Sequence, residues 1–221
     1  MPLPALPLSR ADLSALGLRG IHCGSGRTLH AQLLNMDAMR LQDGGQSSAP
    51  GRVCCFRESL YYLEHDQTTP LPLEDASVEW MFSEHFIEHI QVPQAVSWFA
   101  ELHRVMQPGG IARISTPDLA LYARGYADPQ QAFYNAHRQR LREMGMTNPP
   151  LGKAWMMNQI FRHYGHQWLY DYDEVVSIAA HAGFSPAAIR RVSFAEGSVP
   201  ELARLDQVIR NDESLYVELR R

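Results

Sequence analysis

Cysteine is scarce in this chain: Cys23, Cys54 and Cys55 are the whole supply. An odd number, with two adjacent, does not make a disulfide framework. A reduced, cytoplasmic setting is the simpler expectation. No C-x-x-C pair is present, which removes the common structural zinc spacings. An excess of one charge is also missing: 20 Lys and Arg stand against 24 Asp and Glu, a formal net charge of −4. A dedicated nucleic-acid binder usually shows a basic stripe, so no nucleic-acid partner is expected. No apolar run reaches the roughly 18 residues that a membrane span needs, so no membrane partner is expected either. Residues 1–10 lack a cationic start and a continuous apolar stretch, so they do not read as a secretory signal. No internal repeat or low-complexity tract stands out.

What is present suffices for a folded core. Hydrophobic residues make up 45% of the 221, an ordinary globular share. The prolines of residues 1–16 suit an extension, with a short helix over Ser9–Leu16 capped by Ser9 or Asp12. Gly20–Cys23 is a short apolar stretch running into Gly24-Ser25-Gly26, a strand that ends in a phosphate- or cofactor-type turn. Leu33–Asp37 reads as a second strand ending on an acid, residues 43–52 as a polar loop, and Leu60–Leu63 as a third strand. Val78–Ser83 suits a buried strand. Gln94–Met106 has helical spacing and is stopped by Pro108-Gly109-Gly110; Ile111–Ser115 is the next strand. Residues 119–170, rich in aromatics, histidines and arginines, predict a mostly helical insertion. Tyr172–Ala182 predicts a helix, and Ile189–Phe194 and Leu215–Leu219 two last strands. Alternating strands and helices argue for βαβ units around a parallel sheet.

Several segments, in this order, resemble one family. They are Cys23-Gly24-Ser25-Gly26; Asn35-Met36-Asp37; Pro70-Leu71-Pro72-Leu73-Glu74-Asp75; Glu84-His85-Phe86-Ile87-Glu88-His89; Glu101 to Gly110; and Thr116-Pro117-Asp118. His166 to Asp171 and Ala182-Gly183-Phe184 add to it. Together they are similar to the class I, seven-stranded S-adenosylmethionine-dependent methyltransferases of small bacterial type. The resemblance covers roughly residues 18–194. It implies a three-layer α/β Rossmann-like fold with a mostly parallel seven-stranded sheet and a helical insertion after strand 5. The expected organisation is one domain over residues 1–221, with 1–17 an extension and 119–170 an insertion or lid. One departure stands out. Only ten residues separate Gly26 from Asp37, where a Rossmann fingerprint has about 20 and a full helix. That helix is expected to be truncated or absent.

The resemblance implies S-adenosylmethionine as cofactor. Cys23, Gly24, Ser25 and Gly26 would meet its amino-acid end, glycines letting the backbone approach. Asp37 would accept the ribose hydroxyls, with a turn or capping aspartate as the alternative. Asp66 would accept from the adenine amino group and His65 would cover the ring; a capping role is equally open to Asp66. Glu84 and His85 end the fourth strand, where ligands of open α/β sheets bind. His85 is a candidate general base. If a helix follows, Glu84 and Glu88, and His85 and His89, each share a face. A zinc helix has the order H-E-x-x-H, which His85-Phe86-Ile87-Glu88-His89 does not keep, so no metal is expected. Asp118 either enters the acceptor pocket or caps the next helix. His166 and Tyr170 are site candidates within a segment that otherwise reads as core, lid or dimer contact. Glu101 and Arg104 suit a structural ion pair, and Arg138–Arg142 a solvated helix face. The function implied is methyl transfer to a small-molecule O or N acceptor. The alternatives are a non-catalytic binding or scaffold module, favoured by the short first crossover, and a nicotinamide-linked oxidoreductase, which shares the glycine turn and acid.

Overall fold

A computed structural model describes residues 3–149 and 151–221. Ser9 caps α1 (Arg10–Ala15) through a capping box with Asp12. The chain then lays down β1 (Gly20–Cys23), β2 (Leu33–Asp37), the small hairpin β3 (Gln42–Asp43) and β4 (Gln46–Ser47), β5 (Val53–Phe56), β6 (Leu60–Glu64) and β7 (Val78–Glu84). Next come α2 (Val92–Val105), β8 (Met106–Pro117), α3 (Leu119–Ala127), α4 (Ala132–Glu143), α5 (Lys153–Arg162) and α6 (Tyr172–His181). β9 (Ile189–Val192), α7 (Pro200–Ala203) and β10 (Ser214–Arg220) complete it.

The main sheet has eight strands in the order β5-β6-β2-β1-β7-β8-β10-β9. Neighbours from β6 to β8 run parallel; β5, β10 and β9 pair antiparallel with their neighbours. The expected α/β Rossmann-like fold is present, with one strand more than the seven foreseen. The extra one is β5, an edge strand inside what read as loop and linker. Residues 119–170 are mostly helical, carrying α3 to α5. Tyr122, Tyr134, Leu141, Met156, Ile160 and Leu169 give them a small core of their own.

The central strands are buried on both faces, which is why β1 and β2 read as nearly continuous apolar runs. On α2, Ala95, Trp98, Phe99, Leu102 and Val105 fall on one buried face and join Val175, Ile178 and Ala179 of α6 in the main core. Emptying Trp98 to alanine removes one of the largest core side chains, a loss of about 3–5 kcal/mol. α2 ends one residue earlier than the glycines suggested. Met106 is already extended and pairs with Val78, so Pro108-Gly109-Gly110 lies within the opening of β8.

The expected Glu101–Arg104 pair exists and does more than brace α2. Arg104 donates to Glu101 and Asp75 and to the carbonyls of Leu71 and Leu73, and Glu101 accepts the Leu71 amide at 2.7 Å. The Pro70–Asp75 turn is therefore held onto α2 by the E-x-x-R pair. Arg138 departs from the solvated face expected of it. It is buried and donates to the Leu151 carbonyl at 3.1 Å and to Asn135.

In β1, His22 is buried beside Asn35, with Nδ1 3.3 Å from the amide oxygen. Burial first, and then His30, push its pKa down to about 3. Below about pH 6.5 the unfolded chain takes a proton here that the folded chain refuses. Stability is thus full above that pH and falls by about 1.4 kcal/mol per pH unit as pH drops toward 3. Urea melts of the wild type and His22→Leu at about pH 7 and about pH 5 should show the variant losing less. Equal losses would mean the ring is not buried in its neutral form.

Candidate functional site

Chain direction across the sheet reverses between β1 and β7: the chain builds outward from β1 through β2 to β6, then returns to the other side with β7 and β8. Ligands of open α/β sheets bind at the carboxyl ends of strands at such a point. The cleft there has a volume of about 370 Å³, and Gly24, Asp37, Asp66, Gln67, His85 and His89 are among its lining residues.

No helix fills the connection between β1 and β2. The glycine turn therefore has no helix dipole behind it. Its amides are used locally instead: Ser25 N–H donates to the Met36 carbonyl at 3.1 Å and Gly26 N–H to Asp37 Oδ2 at 2.9 Å. Gly24 has φ +68°, and a Cβ there would come within 2.7 Å of Phe86, so this position needs glycine on two counts. The side chain of Cys23 is fully buried, and burial pushes its thiol pKa up. Only its backbone can serve a ligand.

Asp37 also accepts from Met39 N–H at 2.9 Å. Each carboxylate oxygen thus holds one amide, and a carboxylate has about four acceptor sites. Asp66 accepts from the Thr68 amide and hydroxyl through one oxygen. His65 turns toward Thr69, 3.4 Å away. Gln67, which the sequence did not single out, is buried; it donates to the Met36 carbonyl at 2.7 Å while its side-chain oxygen has no partner. Ser25 Oγ is likewise buried without a partner. Two orphaned polar atoms beside a half-used carboxylate fit the polar groups of S-adenosylmethionine, the cofactor that the resemblance implies.

His85 follows β7 with φ +51°, a region few non-glycine residues occupy. After Phe86 comes a single 3-10 turn, Ile87–His89, so the i, i+4 faces of an α-helix do not form. His85 Nδ1 lies 3.1 Å from Arg210 Nη1, a group that can only donate. Nε2 therefore carries the proton and donates to Ser214 Oγ at 2.7 Å, and that hydroxyl donates to the Arg210 carbonyl at 2.6 Å. Burial first, then Arg210, hold the His85 pKa well below the usual histidine value. Its ring is neutral, and its Nδ1 lone pair is occupied by Arg210. Glu84 faces the same C-terminal segment, accepting from Gln207 N–H at 2.9 Å; burial raises its pKa.

Asp118 takes the capping alternative. Oδ1 accepts from Ala120 and Leu121 amides at the start of α3, and Oδ2 pairs with Arg191 at 2.6 Å. It lines neither this cleft nor the cavity beyond it. Tyr170 is buried in the main core. His166 lines a second cavity of about 250 Å³, between the insertion and the segment before β10. Arg140, His137, Tyr164, Arg210 and Glu213 also line it, and His85 and His89 are shared with the cleft. Tyr122 donates to Glu213, and His137 Nδ1 lies 2.7 Å from Asp212 Oδ2, tying α3 and α4 to that segment.

Residues 22–114 match the family model described as a methyltransferase domain. Over 72 residues the chain is 32% identical to a Mycolicibacterium smegmatis protein named a probable S-adenosylmethionine-dependent methyltransferase; the alignment spans 33% of this chain and only 27% of that relative. The fold is similar to that of an S-adenosylmethionine-dependent methyltransferase from Mesorhizobium loti, with a TM-score of 0.50, 16% identity and 96% of each chain covered. No helix among the described residues is long and apolar enough to cross a membrane. The strand order, the cleft at its reversal and the match over residues 22–114 make the chain similar to the class I methyltransferases, whose cofactor is S-adenosylmethionine.

Proposed function

We propose that this protein transfers a methyl group from S-adenosylmethionine to an oxygen or nitrogen of a small polar molecule. The observation that carries the reading is the shared wall: His85 and His89 border both the cleft at the glycine turn and the second cavity. A donor in one and an acceptor in the other would meet there. The second cavity, about 250 Å³, lies below the roughly 300–1,000 Å³ usual for drug-sized ligands, which supports a small acceptor. Its arginines, histidines and carboxylates support a polar one.

When bound, S-adenosylmethionine supplies a methyl already activated on a cationic sulfur, so the protein's task is mainly alignment. Asp37 would hold the ribose. Ser25 and Gln67 would complete the polar shell with the atoms that lack partners. The cofactor's methyl carbon would be the electrophile for an acceptor lone pair, with the sulfur as leaving group. An acceptor that arrives protonated must also lose a proton, and His85 Nδ1 would take it once Arg210 has turned toward the acceptor.

Calorimetry with S-adenosylmethionine, its demethylated product and NADH tests the cofactor reading: the first two should bind and the third should not. Asp37→Ala should weaken S-adenosylmethionine binding by about 1.5–3 kcal/mol, with Asp37→Asn losing less. Unchanged affinity in folded variants would remove Asp37 from the site. One observation favours a second reading, a binding module without turnover. The glycine-turn amides are already bonded within the protein, and no helix stands behind them. A screen with methyl-labelled cofactor separates the two, since only the enzyme moves label to an acceptor.

A further inference from the structure

The wall between the two cavities holds a cluster to which the methyl-transfer reading gives no chemical role. Glu88, His89 and His166 each offer one ligand atom, and these atoms lie within 4.8 Å of one another. Glu88 and His89 come from the 3-10 turn after β7, and His166 from the loop after α5.

Glu88 is fully buried. Its Oε2 accepts from the Thr116 hydroxyl at 3.1 Å, while Oε1 has no hydrogen-bond partner. The ring nitrogen 3.3 Å from Oε1 is His85 Nδ1, which already accepts from Arg210 and so has no proton to give. A buried carboxylate oxygen in this position wants a cation or a proton. His166 Nδ1 lies 2.6 Å from the Ile160 carbonyl. That contact puts the proton on Nδ1 and leaves the Nε2 lone pair free, the outer support that metal-bound histidines usually have. The His89 ring stands edge-on to His166, with centroids 5.0 Å apart. Arg140 and Arg210 bring two positive charges around the second cavity, and Glu88, Asp212 and Glu213 bring three carboxyl groups, so the local balance leaves room for a cation.

We propose that Glu88, His89 and His166 bind one divalent transition-metal ion. Two imidazoles and one carboxylate are a donor set that zinc takes in sites keeping a fourth position open. That position would be left to water or to a group entering the second cavity, which His89 and His166 line. The ligand set differs from the His85/His89 pair that the sequence weighed and set aside. His85 stays outside it, because both its nitrogens are taken.

The test needs neither cofactor nor acceptor, so its outcome is separate from that of methyl transfer. The whole chain is stripped with a chelator, dialysed, and titrated with Zn²⁺ by calorimetry and with Co²⁺ by visible absorption. One ion per chain is expected, with Co²⁺ giving the intense bands of a low-coordinate site. His166→Ala and Glu88→Gln should each weaken binding by at least about tenfold. His163→Ala, changing an exposed histidine three residues away, should not. If Glu88→Gln fails to fold, His89→Ala takes its place, since that side chain is exposed. Absence of a stoichiometric ion in the wild type would overturn the proposal. So would wild-type affinity in His166→Ala.

Discussion

His85→Ala is expected to lower methyl transfer by about 10²–10⁴-fold while leaving the affinity for S-adenosylmethionine unchanged. The ring stands between the cleft and the second cavity, and its partners, Ser214 and Arg210, belong to the C-terminal segment. Its loss should therefore be felt on the acceptor side. Arg210→Gln provides the complementary reading. It releases Nδ1 and removes a charge from the second cavity, so the Michaelis constant for the acceptor should change more than cofactor binding does. The measurement is steady-state kinetics beside calorimetry on the same samples, with a thermal melt to confirm folding. Collapse of cofactor binding in His85→Ala would assign the ring to the cofactor shell. A small loss in turnover would mean that alignment alone carries the rate.

Asp206→Ala is expected to be the most destabilising single change among the charged residues. Arg113 is fully buried in β8; its Nε donates to Asp206 Oδ1 at 2.8 Å, and its other nitrogens donate to the carbonyls of Ser193 and Glu196. Removing one partner of a buried pair leaves an uncompensated charge and costs about 3–5 kcal/mol. Glu218, 3.4 Å away, keeps the loss toward the lower end of that range. For a chain of this size such a loss lowers the melting temperature by about 6–20 °C. Replacing both partners with apolar residues, as in Arg113→Met with Asp206→Leu, should cost less than Asp206→Ala alone. The reverse order in denaturant melts would show that the charges themselves stabilise the fold. The same bonds hold residues 193–206, and Gln207 and Arg210 follow directly. Asp206→Ala should therefore loosen the partners of Glu84 and His85 as well.

Much of the architecture was legible because buried parallel strands and amphipathic helices write their periods into the sequence. β1, β2, β6 and β7 were legible within a residue or so, as were the helical insertion and the missing helix after Gly26. β5 was hidden: Val53–Phe56 is a short run behind a polar loop, and only its pairing with β6 makes it a strand. The start of β8 was hidden because proline and two glycines there read as a stop, while Val78 pairs with Met106 across them. Of the residues that line the cleft, Gly24 and Asp37 announced themselves by their places at the ends of apolar strands. Gln67 did not, since a glutamine after a strand carries no distinctive chemistry. Arg210 and the Glu88–His166 contact had no local signal at all, because tertiary packing alone brings those segments together. Asp118 offered two roles, and the amides of Ala120 and Leu121 in the first turn of α3 decided between them by taking its oxygen.

The place of β10 has a consequence for how the protein is made. It sits between β8 and β9, although it follows both in the chain. Until residues 214–220 have been synthesised, β8 presents a long unpaired edge and β9 has no neighbour in the sheet. An open edge is a template for pairing with another chain. A nascent chain paused between β9 and β10 is thus at its most vulnerable to aggregation, and a chaperone would find most to hold at that stage.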